Sequence, residues 1–124
     1  MNNTKPQPLY AMKNLTKAYN GRKVLDITDL QIQRGEVLGL VGPSGAGKST
    51  LLRLLNFLEP PTSGVITFQG QTLENGVEMP LELRRQVTTV FQRPMLLNRT
   101  VFENVAFGLQ LRGSRETKAH VLSA

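Results

Sequence analysis

Residues 42–50 read GPSGAGKST, and the fold is decided there. The run fits G-x-x-x-x-G-K-[ST], with Gly42, Gly47, Lys48 and Ser49 at the fixed places. EVLGLV (36–41) before it is a short apolar run of strand type, and STLLRLLNFL (49–58) after it is a helical pattern. Strand, glycine-rich loop and helix in that order are the context the motif needs. The N–H groups that open a helix have no partner within it and sit at the positive end of its dipole. The loop therefore predicts a cradle for phosphate oxygens. Glycines at 42, 45 and 47 let the backbone turn tightly and meet an anion with no Cβ between them. At ordinary residue frequencies the four fixed positions coincide in roughly one chain of this length in a few hundred, before any flanking pattern is required.

One small domain, large enough to bury a core, is the expectation for 124 residues. With 40% hydrophobic and 19% charged residues it belongs with globular proteins. Cysteine is absent, which removes disulfides, thiolate metal sites and a cysteine nucleophile. The start, MNNTKPQP, is polar without an apolar stretch, so residues 1–8 are expected to be a disordered tail and neither a signal peptide nor an anchor. The longest apolar stretches are about half a dozen residues, too short to span a bilayer. A membrane role would need a partner to hold the chain there. The net charge of +6 comes from 15 Lys and Arg against nine acids. These cations are scattered, without interleaved aromatics, so they read as a solvated face that steers phosphate, and no nucleic acid is expected.

Residues 9–41 read as several short strands, with a hairpin signal at Asn20–Gly21 and a turn at Arg34–Gly35. In the helix after the loop, Leu51, Leu52, Leu54, Leu55, Phe57 and Leu58 go nearly all the way round, which predicts burial on every side until Pro60–Pro61 end it. TSGVITFQGQTL (62–73) reads as a strand and a tight turn at Gly70, PLELRRQ (80–86) as a short helical turn, and VTTVFQ (87–92) as a strand. Thr100 with Glu103 makes a capping box ahead of a helix that Gly113 closes. Ser114 then N-caps a last helical pattern that stops in mid-run at Ala124, as in a chain cut short. His120 reads as a helix-surface residue.

Together these segments resemble the N-terminal half of the nucleotide-binding domain of ATP-binding cassette (ABC) transporters. LTKAYNGRKVLD (15–26), GPSGAGKSTLLRLLNFLEPPTSG (42–64), ITFQGQTL (66–73) and VFQRPMLLNRTVFENVAFGL (90–109) match that family in order. The resemblance implies an α/β fold: a partial P-loop NTPase core with an N-terminal antiparallel β subdomain, over residues 9–124. It implies ATP and Mg²⁺ as cofactors, with Tyr19 stacking on adenine and Gly42, Pro43, Ser44, Gly45, Ala46, Gly47, Lys48, Ser49 and Thr50 forming the phosphate loop. The amides of Gly45 to Thr50 would hold the phosphates, Lys48 would reach the β- and γ-phosphates, and the Ser49 hydroxyl would ligate Mg²⁺. Gln92 would contact Mg²⁺ or the attacking water and report nucleotide state to membrane permease subunits. A second ATPase subunit would complete the full-length assembly at the inner face of the cell membrane. Residues 93–109 also resemble ATPases of oxyanion importers, such as those for tungstate or molybdate. Taken alone, Tyr19 reads as a strand-edge tyrosine and Gln92 as a surface glutamine.

The resemblance also marks what is missing. The family's LSGGQ-type signature, second acidic motif and switch histidine have no counterpart here, so the chain is expected to bind nucleotide without turning it over. In the resembled fold the strand bearing the second acidic motif lies beside the phosphate-loop strand. VLGLV (37–41) is therefore expected to form an unpaired apolar edge. Two readings stay open: the leading part of an importer ATPase, or a non-catalytic nucleotide-binding or interaction module. An unrelated P-loop kinase or GTPase needs its own motif, such as N-K-x-D for guanine, and none occurs.

Overall fold

The computed structural model describes residues 7–93 and 95–123, which fall into two compact units divided between Thr89 and Val90. In the first, β1 (Tyr10–Tyr19) and β2 (Arg22–Ile32) form one long antiparallel hairpin in place of several short strands. Its two-residue turn is Asn20–Gly21, both at positive φ (49° and 77°), the conformation that matches the strands' twist. β3 (Ser63–Phe68) pairs with the other edge of β1, and β4 (Gln71–Leu73) turns back at Gly70 to give the order β2-β1-β3-β4, antiparallel throughout. The antiparallel β subdomain read from the sequence is thus present.

A change of phase along β1 sets the core. Tyr10 and Met12 point inward, and the next buried residue is Leu15. Asn14 takes up the extra step at φ 48°, and the pairing with β3 shifts between Lys13 and Thr16. The facing residue is Gly64, where a Cβ would lie 2.1 Å from the Asn14 carbonyl oxygen. Only glycine fits that approach, which accounts for the last letter of PPTSG.

The helix α1 (Lys48–Leu55) lies on this sheet. Leu51 and Leu54 join Tyr10, Met12, Leu15, Ile66, Phe68, Leu73 and Met79 in the core. Leu52 and Leu58 stay exposed, so the helix is buried along one stripe and not all round. The reason is geometric: only the antiparallel sheet covers it, so the remaining leucines have nothing to pack against. The helix stops before its prolines. Phe57 adopts φ 56°, Leu58 N–H reaches the Arg53 carbonyl at 3.0 Å, and Phe57 N–H reaches that of Leu54. This conformation costs a non-glycine residue about 1 kcal/mol or more. Packing offsets it, since the Phe57 ring meets Phe68 at 5.4 Å and Tyr10 at 6.2 Å. The Tyr10 hydroxyl donates to the Leu55 carbonyl at 3.0 Å, and burial pushes its pKa up to about 12.

Two segments of strand type form no strand. Residues 36–41 and 87–92 run without a ladder among the described residues. Val37 is 97% exposed and Val41 98%, and Val90 and Phe91 are exposed too. A strand has no internal hydrogen bonds, so an apolar run becomes one only when a neighbour supplies them. The short α2 (Leu81–Arg84) follows Pro80, as the sequence predicts.

In the second unit, α3 (Val101–Leu111) starts with the full capping box. Glu103 N–H donates to Thr100 Oγ1 at 3.2 Å and Thr100 N–H to Glu103 Oε2 at 2.8 Å. It ends on Gly113 at φ 69°, with Gly113 N–H on Gln110 O and Ser114 N–H on Leu109 O. The Asn104 side chain accepts from Leu97 N–H and donates to the carbonyls of Leu97, Arg99 and Thr100, fastening the preceding loop to the helix. α4 (Thr117–Ser123) begins two residues later than an N-cap at Ser114 would start it, Ser114 accepting through its carbonyl from the Thr117 hydroxyl. His120 is exposed on it. Residues 1–6 of the expected tail lie outside the described residues.

Candidate phosphate-binding site

The loop 42–50 curls over the start of α1. Ser44 and Gly45 form a turn, with Ala46 N–H donating to the Pro43 carbonyl at 3.2 Å. Gly45 and Gly47 take φ 83° and 88°. Gly47 is pressed against β2, where a Cβ would lie 2.6 Å from the Val24 carbonyl oxygen, so this corner fixes the loop to the sheet as well as turning it.

Gly47 is the N-cap of α1, and no side chain caps the helix. The first helical hydrogen bond runs from Leu51 N–H to the Gly47 carbonyl at 2.9 Å. The amides of Lys48, Ser49 and Thr50 therefore open the helix without partners within it. No acidic side chain occupies this first turn. An uncapped helix start ringed by turned glycine backbone has the chemistry to hold an anion. The Lys48 ammonium completes it by folding back across the loop to the carbonyls of Gly42 and Pro43, each at 2.6 Å. Three donors on a flexible stem suit a phosphate oxygen as well as they suit those carbonyls.

Ser49 is exposed on the first turn and offers a single hydroxyl. Among the described residues no group of three or more His, Cys, Asp or Glu could cage a metal. That donor set does not suit a resident ion, but it fits a Mg²⁺ that takes its other ligands from phosphate and water.

Tyr19 ends β1 in the same unit as the loop, 40% exposed. Its hydroxyl donates to Glu59 Oε1 at 2.6 Å. Desolvation and the Glu59 carboxylate raise its pKa, against weaker pulls downward from Arg53 and Thr50. For Glu59, desolvation pushes upward. Hydrogen bonds from Tyr19 and Lys17, and the charges of Lys17 and Arg53, outweigh it and hold the carboxyl below its ordinary range. Sequence reasoning singled out Tyr19 and missed Glu59, because Glu59 lies in the turn after α1 and its partners come from β1 and α1. Gln92 belongs to the second unit, in an exposed bend outside any strand.

Comparison with known proteins gives the family. The family model described as ABC transporter matches residues 25–124. The chain is 39% identical to the tungstate uptake system ATP-binding protein TupC of Peptoclostridium acidaminophilum, covering 83% of this chain and 45% of that protein. It is 40% identical to the spermidine/putrescine import ATP-binding protein PotA of Aggregatibacter actinomycetemcomitans, over 99% of this chain and 33% of the relative. Among solved structures, cbiO1 of Clostridium perfringens, part of the ABC transporter complex cbiONQ, superposes with a TM-score of 0.68 at 29% identity, over 84% of this chain and 43% of that one. The chain thus spans less than half the length of these relatives. With a G-x-x-x-x-G-K-[ST] loop folded at the head of α1 and the family's profile matched from Leu25 onward, this chain belongs to the ABC transporter family and carries the first part of its nucleotide-binding domain.

Proposed function

We propose that the chain is the nucleotide-binding part of an importer's ATP-binding subunit. It binds Mg·ATP through Tyr19, the 42–50 loop and, in the complete domain, Gln92. The observation that carries the reading is the uncapped start of α1, with αL Gly47 beneath it and the Lys48 ammonium already over the loop. The loop amides take the phosphate oxygens, Lys48 exchanges its carbonyl partners for the β- and γ-phosphates, and the Ser49 hydroxyl ligates the metal that arrives with them. Mg²⁺ held by Ser49 would neutralise charge on the phosphates. Tyr19 offers its ring to the base.

On this reading residues 1–8 are a tail and 9–124 the leading part of the domain. Gln92 and its surroundings face membrane permease subunits, a second ATPase subunit pairs with the full-length protein, and the whole sits at the inner face of the cell membrane. No described helix is long and apolar enough to cross a membrane, in keeping with a subunit held there by partners. The cargo reading, a tungstate- or molybdate-like oxyanion, draws support from the tungstate relative and is tested by co-purification with a permease and uptake of labelled anion.

Calorimetric titration with Mg·ATP tests the binding claim, and a steady-state phosphate-release assay tests its limit. The chain alone binds and does not turn over, because among the described residues no carboxylate follows the loop on a strand to hold metal and water. Lys48→Ala weakens binding about a hundredfold, the loss of a charge-assisted contact worth roughly 2–3 kcal/mol. Turnover near ~1 per second by this chain alone refutes the non-hydrolysing part. Absence of nucleotide binding by folded protein refutes the whole.

A further inference from the structure

Three charged side chains and one phenol converge where α1 ends, and the phosphate loop uses none of them. Glu59 sits in the turn after α1, which is sewn to β1. Thr62 N–H donates to the Thr16 carbonyl at 2.9 Å, and Ala18 N–H donates to Thr62 Oγ1 at 3.0 Å. The carboxylate is only 15% exposed. Its Oε2 holds Lys17 Nζ at 3.1 Å, and its Oε1 takes both Arg53 Nε at 3.1 Å and the Tyr19 hydroxyl at 2.6 Å. Lys17 Nζ donates in turn to the Pro60 carbonyl at 2.7 Å and lies 5.2 Å from the centroid of the Tyr19 ring.

An isolated surface ion pair contributes little. This carboxylate differs, being mostly covered and shared among three donors from β1 and α1. The consequence falls on Tyr19. A tyrosine at the end of a strand, beside a two-residue turn, can swing about its first side-chain bond. The bond to Glu59 fixes the far end of the ring, and the ammonium lies over one face, leaving the other for a flat partner. Arg53 is on the helix that the phosphate loop opens, about 7.5 Å along its axis from Lys48. Glu59 therefore ties the ring to the element that carries the loop.

We propose that Glu59 is a positioning residue for the nucleotide's base: through the Tyr19 hydroxyl and Lys17 it pre-orients the ring as a stacking platform in register with the phosphate loop. The proposal rests on the nucleotide reading above, and its test separates the two. ATP and inorganic tripolyphosphate share the polyphosphate, and only ATP carries a base. Both are titrated calorimetrically into the wild-type chain, Glu59→Gln, Glu59→Ala and Tyr19→Phe, with thermal melts to confirm folding.

The expected result is unchanged tripolyphosphate affinity in every variant. ATP affinity falls about tenfold in Glu59→Ala and Tyr19→Phe, and less in Glu59→Gln, which keeps an acceptor for the hydroxyl. Tyr19→Phe retains the ring and all three charges, so it gives the same reading if Glu59→Ala does not fold. Equal losses for both ligands, or no loss for ATP, overturn the assignment while leaving phosphate binding intact. Failure of the folded wild type to bind either ligand overturns the nucleotide reading and this assignment together.

Discussion

Met12 and Val41 are both apolar residues in strand-type runs of sequence in the first unit, yet Met12 is fully buried and Val41 is 98% exposed. What differs is the neighbour. β1 finds β2 across a two-residue turn and β3 along its other edge, so its hydrogen bonds and its inward side chains are both satisfied. Residues 37–41 have the same kind of composition and no ladder partner among the described residues. An antiparallel strand takes its partner from next door in sequence, whereas a parallel core strand depends on a segment a crossover or more away. Apolar pattern states what a segment can become; pairing decides whether it does.

The contrast can be broken most severely at Gly64. A Gly64→Ala Cβ would meet the Asn14 carbonyl at 2.1 Å at a positive φ of 77°. It should cost about 4 kcal/mol or more, enough to unfold the first unit, read as loss of the cooperative melt. Gly39→Ala in the bare run meets nothing within 4 Å and should leave the melt in place. Next in size, Met12→Ala should cost about 2–5 kcal/mol by urea unfolding, while Val41→Ala stays within about 0.5 kcal/mol. Equal costs at the two positions would mean that 37–41 is packed in solution.

Smaller effects come from titration. Both tyrosines of the chain are shifted upward, Tyr10 to about 12 by burial. A raised folded pKa favours the neutral phenol. That contribution is complete below the unfolded value of about 10 and is lost as pH rises toward 12. Phenolate absorbance of the folded chain should therefore lag that of the urea-unfolded chain. Glu59 works in the opposite sense, its folded pKa lying below the ordinary 4.5. Its contribution is present above that value and disappears as pH falls through the lower folded one. Glu59→Gln should flatten this acid limb and relax the part of the alkaline limb that Tyr19 owes to the carboxylate, while leaving the part set by Tyr10's burial in place, the smallest of these changes.

Much of the architecture could be read locally. Asn20–Gly21 announced the hairpin, Thr100 and Glu103 the start of α3, and Gly113 its end, because each is settled within a few residues by backbone sterics or hydrogen bonds. The turned glycines 45 and 47 and the helix that starts after them were legible for the same reason. Features that depend on distant partners were not. The leucines of 51–58 suggested a helix buried all round, but how many faces are covered depends on how many sheets lie against it. The strands expected at 36–41 and 87–92 failed for want of neighbours. The Asn14 step inside β1 and the Asn104 clamp leave no periodic trace, since one polar residue looks like another until the fold shows what it reaches. Glu59 was passed over because its meaning lies in the convergence of Lys17, Tyr19 and Arg53.

The closure of α3 at both ends carries a mechanical corollary. Thr100 and Glu103 seal one tip, and the Gly113 turn seals the other, with groups that travel with the helix itself. Such a segment need not fray when it is displaced. It can tilt or slide as a stiff rod, passing a push at one end to the other without losing it to local melting.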